Sequence, residues 1–185
     1  MVKSKEQLIC VDIFDREIGQ CTKLAAHQKG ILHRAFSVFL IDPKGQRMLL
    51  QQRAGNKYHS GGLWANTCCS HPRPGEETQQ AAQRRLLEET GIECSIQELF
   101  SFIYRQTYAD GLSEYECDHV FLGFYDGDQQ DWRPDAAEIQ AMAWFDLEQL
   151  AEALRETPEQ FAAWFIIAAP QVLQHLKVSE DNAQG

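Results

Sequence analysis

The 185-residue chain predicts a mixed α/β (α+β) sandwich. Three observations point there. Short apolar runs rich in Val, Ile, Phe and Tyr recur between turn residues. Few stretches have helical character. Those few do not alternate regularly with strands, so repeated βαβ units are not expected.

"LICVDIF" near the start reads as a first strand. Residues 34–53, "RAFSVFLIDPKGQRMLLQQR", read as a β-hairpin. In its "DPKG" turn, proline presets φ and glycine permits positive φ. "GLWANTCC" reads as a strand, in which Cys68 and Cys69 point to opposite faces. "EETQQAAQRRLLEETG" is rich in helix formers and ends at Gly91, a natural residue just beyond a helix C-terminus. "SFIYRQTYADGLSEYECDHVFLGFY" reads as a second hairpin around "ADG", and "IQAMAWFD" as a further strand. "LEQLAEALRE" is an amphipathic helix. "TPEQFAAWFIIAAPQVLQHL" follows as another, with Thr157 as N-cap and Pro158 in the first turn. Residues 1–177 are expected to form a single domain, and the polar 178–185 a frayed tail.

Hydrophobic residues make up 44% and charged residues 24%, the balance of a globular protein with a sizeable core. No apolar run reaches membrane-spanning length, and the first residues lack the apolar core of a signal peptide. A cytoplasmic location is therefore expected. Net charge is −10, which argues against a nucleic-acid partner but not against a small anion held by a local basic cluster. The sequence is silent on oligomeric state.

The six cysteines are scattered, and a reducing compartment makes a disulfide framework improbable. Cys68 and Cys69 are poor partners for each other, because neighbouring side chains diverge. Cys10, Cys21, Cys94 and Cys68 read as small buried hydrophobes. Cys69 differs, because His71 follows at Cys-x-His spacing and a carboxylate-rich segment comes next.

That segment resembles the Nudix box, G-x5-E-x7-R-E-U-x-E-E-x-G-U, where U is a bulky aliphatic residue. Glu76, Arg84, Leu86, Glu88, Glu89, Gly91 and Ile92 match. Ser70 stands in place of the first glycine, and Arg85 in place of the first helix glutamate. Carboxylates on one helix face can collect Mg²⁺, which bridges diphosphate oxygens. The plainer reading is a solvated helix with Arg84–Glu88 and Arg85–Glu89 pairs, each contributing only ~0.2–0.5 kcal/mol. Arg85 changes the local charge by two units, which suits gripping a diphosphate rather than cutting it.

"KGILHRAFSVFL", "GLWANTCCSHP", "AAQRRLLEETGI" and "SEYECDHVF" together resemble the type I isopentenyl-diphosphate Δ-isomerase family, from about Lys23 to Trp164. The resemblance implies a Nudix-like mixed sheet sandwiched by helices, and interconversion of isopentenyl and dimethylallyl diphosphate. It also implies two divalent metals: one Mg²⁺ on the diphosphate, and one Zn²⁺, Mn²⁺ or Mg²⁺ in a His/Glu site.

By that resemblance Cys69 corresponds to the catalytic thiol and Glu116 to the opposing carboxylate, with Tyr104 hydrogen-bonded to it. His27, His33, His71, Glu114 and Glu116 correspond to ligands of the first metal. Glu89, with the Cys69 backbone oxygen nearby, corresponds to the Mg²⁺ ligand. Lys23, Arg53, Lys57 and Arg85 are similar to diphosphate anchors, and Trp164 to an aromatic wall over the reacting carbon. His27 and His33 are six apart here, where some members space them by seven.

The residues suit that chemistry. Adding a proton to a terminal CH2 and removing another from its neighbour needs an acid and a base beside the alkene, in a dry pocket. Glu114 and Glu116 share a strand face and repel each other unless a cation lies between them. Imidazoles plus carboxylate suit Zn²⁺ or Mn²⁺. Trp164 in "FAAWF" reads by itself as core, and only the resemblance gives it a role in the site. Two alternatives stay open: a Nudix-type diphosphate hydrolase, and a non-enzymatic module stabilised by structural zinc.

Overall fold

The computed structural model describes residues 6–57 and 59–183. Nine strands join in one sheet among these residues. They are β1 (Gln7–Val11), β2 (Glu17–Thr22), β3 (His33–Ile41), β4 (Arg47–Arg53), β5 (Trp64–Ala65), β6 (Cys68–Ser70), β7 (Ile96–Thr107), β8 (Ser113–Phe124) and β9 (Ile139–Asp146). Four α-helices accompany them: α1 (Lys23–Lys29), α2 (Thr78–Thr90), α3 (Leu147–Glu156) and α4 (Ala163–Ala183).

β3 organises the sheet. Almost every residue from Ala35 to Ile41 is buried on both faces, as in a parallel central strand. β8 runs parallel along its whole length, from His33↔Glu116 to Ile41↔Phe124. Its other edge is shared in turn by β1 at His33, β6 at Phe36–Val38, and β4 at Leu40–Ile41. The hairpin expected over 34–53 therefore forms only at its turn. Beyond it β4 swings away to pair with β5 and β9.

The gap is closed by side chains. Thr67 Oγ1 accepts from Leu40 N at 3.1 Å and donates to Leu49 O at 2.6 Å. Asn66 Nδ2 donates to Cys68 O at 2.6 Å and Val38 O at 3.3 Å. These buried groups replace ladder bonds that the splayed strands cannot make. They also explain why "GLWANTCC" is two short strands, β5 and β6, rather than one.

Helices cover both faces. On one side α4 packs Trp164, Phe165 and Ala168 against Phe39, Ile41 and Leu50. On the other α2 packs Ala81, Ala82 and Leu86 against Phe36, Val38 and Cys68. The expected sandwich is thus present. α2 ends at Gly91, with φ of 74°. A Cβ there would meet Arg133 Cβ at 2.6 Å, so glycine is required by space as well as conformation.

Three local expectations change. β2 and α1 carried no recognised signal: β2 is an exposed edge strand, and α1 is only seven residues long. Thr157 and Pro158 open a 3-10 turn, Pro158–Gln160, rather than the long helix. Thr157 Oγ1 donates to Ala153 O at 3.1 Å, closing α3, and α4 begins at Ala163. Finally, α4 runs on through 178–183 of the segment expected as a tail. Among the described residues no helix is long and apolar enough to cross a membrane.

Candidate active site

Four elements bring the predicted ligands together. Thr22 caps α1, its Oγ1 accepting from Ala25 N at 3.2 Å, and α1 supplies Lys23 and His27. β3 opens with His33, β8 supplies Glu116, and the chain leaving β6 supplies His71. One nitrogen each of His27, His33 and His71 and one oxygen of Glu116 all lie within 4.8 Å of one another, and all four residues are buried. Glu116 Oε1 is 3.0 Å from His71 Nε2 and 3.3 Å from His33 Nε2.

The chemistry of these donors fits a divalent metal. His33 Nδ1 lies 2.8 Å from the Ile31 carbonyl oxygen, which only accepts, so Nδ1 carries the proton and Nε2 faces the cluster. His33 Nε2 is buried and makes no hydrogen bond. Burial, with the neighbouring imidazoles of His71 and His33, lowers the pKa of His27 to about 3. Burial and the Lys23 ammonium also lower that of His71, although Glu116 pulls the other way. Neutral imidazoles with inward lone pairs are what metal ligation needs.

Glu114 stands apart from this group. Its Oε1 is 2.9 Å from His59 Nε2, and its Oε2 accepts from Tyr108 Oη. Tyr104 Oη links the two carboxylates, at 2.7 Å from Glu116 Oε2 and 3.4 Å from Glu114 Oε2. Tyr104 and Glu116 are directly paired across β7 and β8, so the expected tyrosine–glutamate contact is present. Burial alone would raise the Glu116 pKa, but the His33 and His71 imidazoles beside it outweigh burial and hold the carboxyl well below its usual range.

Cys68 and Cys69 face opposite sides, as alternation requires. Cys68 is fully buried beneath α2. Cys69 packs in the cluster that contains Tyr104 and Trp164. Burial pushes the Cys69 thiol pKa up to about 12 despite the Arg53 guanidinium, whose Nη1 is 3.5 Å from Sγ. Trp164 is 3% exposed; its Nε1 donates to Asn66 Oδ1 at 3.0 Å, and Arg53 lies over its ring at 5.0 Å from the centroid.

The basic residues meet acidic partners. Arg85 contacts Glu88 at 2.8 Å, pairs with Glu89, and lies 3.8 Å from Glu138. Lys57 pairs with Glu138. Lys23 is 3.7 Å from Glu6. Glu89 is 3% exposed, and burial raises its pKa against the pull of Arg85. Both ion pairs of the plainer helix reading exist, but Arg85 reaches further, to a buried carboxylate and a second one from the segment before β9. Arg84 is held by Glu76 through bonds of 2.6 and 2.8 Å, a bidentate brace for the helix.

Sequence reasoning missed Glu138, His59, Tyr108 and Asn66, which hold these side chains. It also missed Asp118, whose Oδ2 accepts from Ser37 Oγ at 2.8 Å. Burial, then Glu116, raises the Asp118 pKa well above its usual range. The period-two run Glu114, Glu116, Asp118 was the available signal for it.

A sequence profile for the NUDIX domain matches residues 31–165. The chain is 47% identical to "Isopentenyl-diphosphate Delta-isomerase 2" of Aromatoleum aromaticum, across 91% of this chain and 87% of that protein. The chain belongs to the isopentenyl-diphosphate Delta-isomerase family. Another such isomerase, from Burkholderia multivorans, is 48% identical over 87% of this chain and 89% of its own length. In fold, the chain is similar to the crystal structure of DR0079 from Deinococcus radiodurans, with a TM-score of 0.72 at 18% identity, covering 90% of this chain and 98% of that one. This family carries the Nudix fold, and the cluster described above is suited to a divalent metal.

Proposed function

We propose that this chain interconverts isopentenyl diphosphate and dimethylallyl diphosphate by proton addition and removal through a tertiary carbocation. The observation that carries the reading is Glu116, a buried carboxylate held between two imidazoles and Tyr104, on the sheet side where Cys69 also packs. Membership of a family named for this isomerisation supports it.

In this reading the alkene lies between Cys69 Sγ and the Glu116–Tyr104 pair, which exchange the two protons. Cys69, with a pKa near 12, holds a proton at neutral pH, and Glu116 is able to accept one. Trp164 excludes water and offers its ring face to the cation; such contacts contribute ~0.5–2 kcal/mol. The ring already faces the Arg53 guanidinium. Lys23, Arg53, Lys57 and Arg85 anchor the diphosphate. His27, His33, His71 and Glu116, with Glu114 close by, would hold one Zn²⁺, Mn²⁺ or Mg²⁺, whose charge would lower the proton affinity of Glu116. Glu89, with the Cys69 backbone oxygen, would hold Mg²⁺, which would supply positive charge to a diphosphate. The site is cytoplasmic and its partner is the small isoprenoid diphosphate.

The hydrolase alternative is weaker, because Arg85 takes the place of a carboxylate and pairs with two that remain on the helix. The deciding experiment is NMR of isopentenyl diphosphate incubated with the protein and Mg²⁺, with phosphate release assayed in parallel. The dimethylallyl isomer is expected. Phosphate release without isomer would overturn the reading.

A further inference from the structure

β8 carries donors on both faces. Its even residues, Glu114 to Asp118, line the side described above. Its odd residues, Cys117 and His119, face the other side and meet Asp15 from the turn between β1 and β2. Asp15 carboxylate oxygen, Cys117 Sγ and a His119 ring nitrogen all lie within 4.8 Å of one another. The geometry points to a second metal site here, for a thiophilic divalent ion of the Zn²⁺ class, formed by Asp15, Cys117 and His119 with a solvent ligand.

The arrangement around His119 supports this. Nε2 faces Asp15 Oδ2 at 3.0 Å, while Nδ1 is 2.6 Å from Glu98 Oε1. A carboxylate on the outer ring nitrogen is how metal-bound histidines are commonly oriented, with the inner nitrogen kept for the ion. Glu98 is therefore a positioning residue. Asp15 is itself fixed: Arg34 Nε donates to Oδ1 at 2.8 Å and Nη2 to its backbone oxygen at 2.6 Å, leaving Oδ2 turned toward His119. Cys117 is 3% exposed, so its sulfur approaches the cluster from the protein interior.

Charge and ligand type narrow the ion. Binding displaces the Cys117 thiol proton and the proton between His119 Nε2 and Asp15 to solvent, leaving Asp15, Glu98 and the thiolate against Arg34, two negative charges in all. A divalent cation neutralises the set. Sulfur and imidazole favour Zn²⁺ over Mg²⁺, and three protein ligands leave a fourth tetrahedral position for water. The His27/His33/His71/Glu116 cluster has no sulfur ligand, so the two sites are separable by spectroscopy. Such an ion would tie the β1–β2 turn to β8, and its presence does not depend on the isomerase reading.

The test uses full-length protein stripped by chelator and titrated with Co²⁺, then Zn²⁺. A thiolate-to-cobalt charge-transfer band is expected in the wild type and in Cys69→Ala, and absent in Cys117→Ser. Elemental analysis should find one Zn²⁺ fewer per chain in Cys117→Ser and His119→Gln than in the wild type. Glu98→Gln should weaken Zn²⁺ binding at this site roughly 10–100-fold. Should Cys117→Ser fail to fold, the partly exposed His119→Gln provides the same stoichiometric comparison. Absence of the band in folded wild type, or a band and zinc content untouched by Cys117→Ser and His119→Gln, would overturn the site. Isomer formation, assayed separately, reports on the other reading.

Discussion

Tyr104 Oη donates to Glu116 Oε2 at 2.7 Å, from directly opposed positions on β7 and β8. The same hydroxyl lies 3.4 Å from Glu114, so one donor sits between two buried carboxylates. Tyr104→Phe is expected to lower isomer formation by roughly 10²–10⁴-fold, the range for losing acid–base assistance. It should also destabilise the fold by about 1–3 kcal/mol, the cost of an unsatisfied buried acceptor. Urea unfolding separates the two effects. An unchanged rate would remove Tyr104 from the proton path.

Cys69→Ala should abolish isomerisation while the fold survives. Cys68→Ala should keep most of the activity, because its side chain lies under α2 against Ala81, Ala82 and Leu86. The cost there is a small cavity, on the order of 1 kcal/mol. Equal activities for the two variants, or the reverse order, would contradict the roles of the two faces.

Both thiols also predict alkaline behaviour. Burial raises the Cys69 pKa from 9.0 to about 12 and that of Cys68 well above 9.0. A raised folded-state pKa means the folded state holds its proton more tightly than the unfolded chain. The resulting stability is complete below about pH 9 and is lost as pH rises toward about 12. Urea midpoints between about pH 8 and about pH 11 should therefore fall less steeply for Cys68→Ala/Cys69→Ala than for the wild type. Parallel slopes would show that the thiols ionise as readily folded as unfolded.

His71→Ala removes one of four converging donors and a partner of Glu116. The variant should retain one transition-metal ion fewer per chain than the wild type and lose most activity. Glu89→Gln should keep that ion and instead raise the Mg²⁺ concentration needed for half-maximal rate. Inductively coupled plasma analysis beside a Mg²⁺ titration distinguishes them. Identical metal content in all three proteins would count against two separate sites.

Arg85→Glu places a third carboxylate beside Glu88 and Glu89 and leaves buried Glu89 without its cation. Breaking a buried pair costs about 3–5 kcal/mol, so the melting temperature should drop. Mg²⁺ should restore more of it than it adds to the wild type, by binding the freed carboxylates. Substrate affinity and isomer formation should fall together, without the phosphate release of a hydrolase. Wild-type affinity in this variant would reduce Arg85 to a helix-surface partner of Glu88 and Glu89.

Patterns that repeat locally were legible in the sequence. The period-two strands, α2 with its Gly91 stop, the divergence of Cys68 and Cys69, and the family motifs each depend on residues close in the chain. The contact of Tyr104 with Glu116 was legible only through the family resemblance, with the "ADG" turn bringing the two strands of the hairpin together. The splaying of β3 from β4 was not legible, because Asn66 and Thr67 hold it open from another segment. Nor was the 3-10 turn before α4, where Ala162 N bonds to Trp64 O across the chain. Glu138 and His59 join the site only through contacts between distant segments. Asp15, Cys117 and His119 likewise met only when the β1–β2 turn folded onto β8. Local sequence sets which face each side chain takes, whereas long-range pairing decides which faces meet, and no periodicity encodes that.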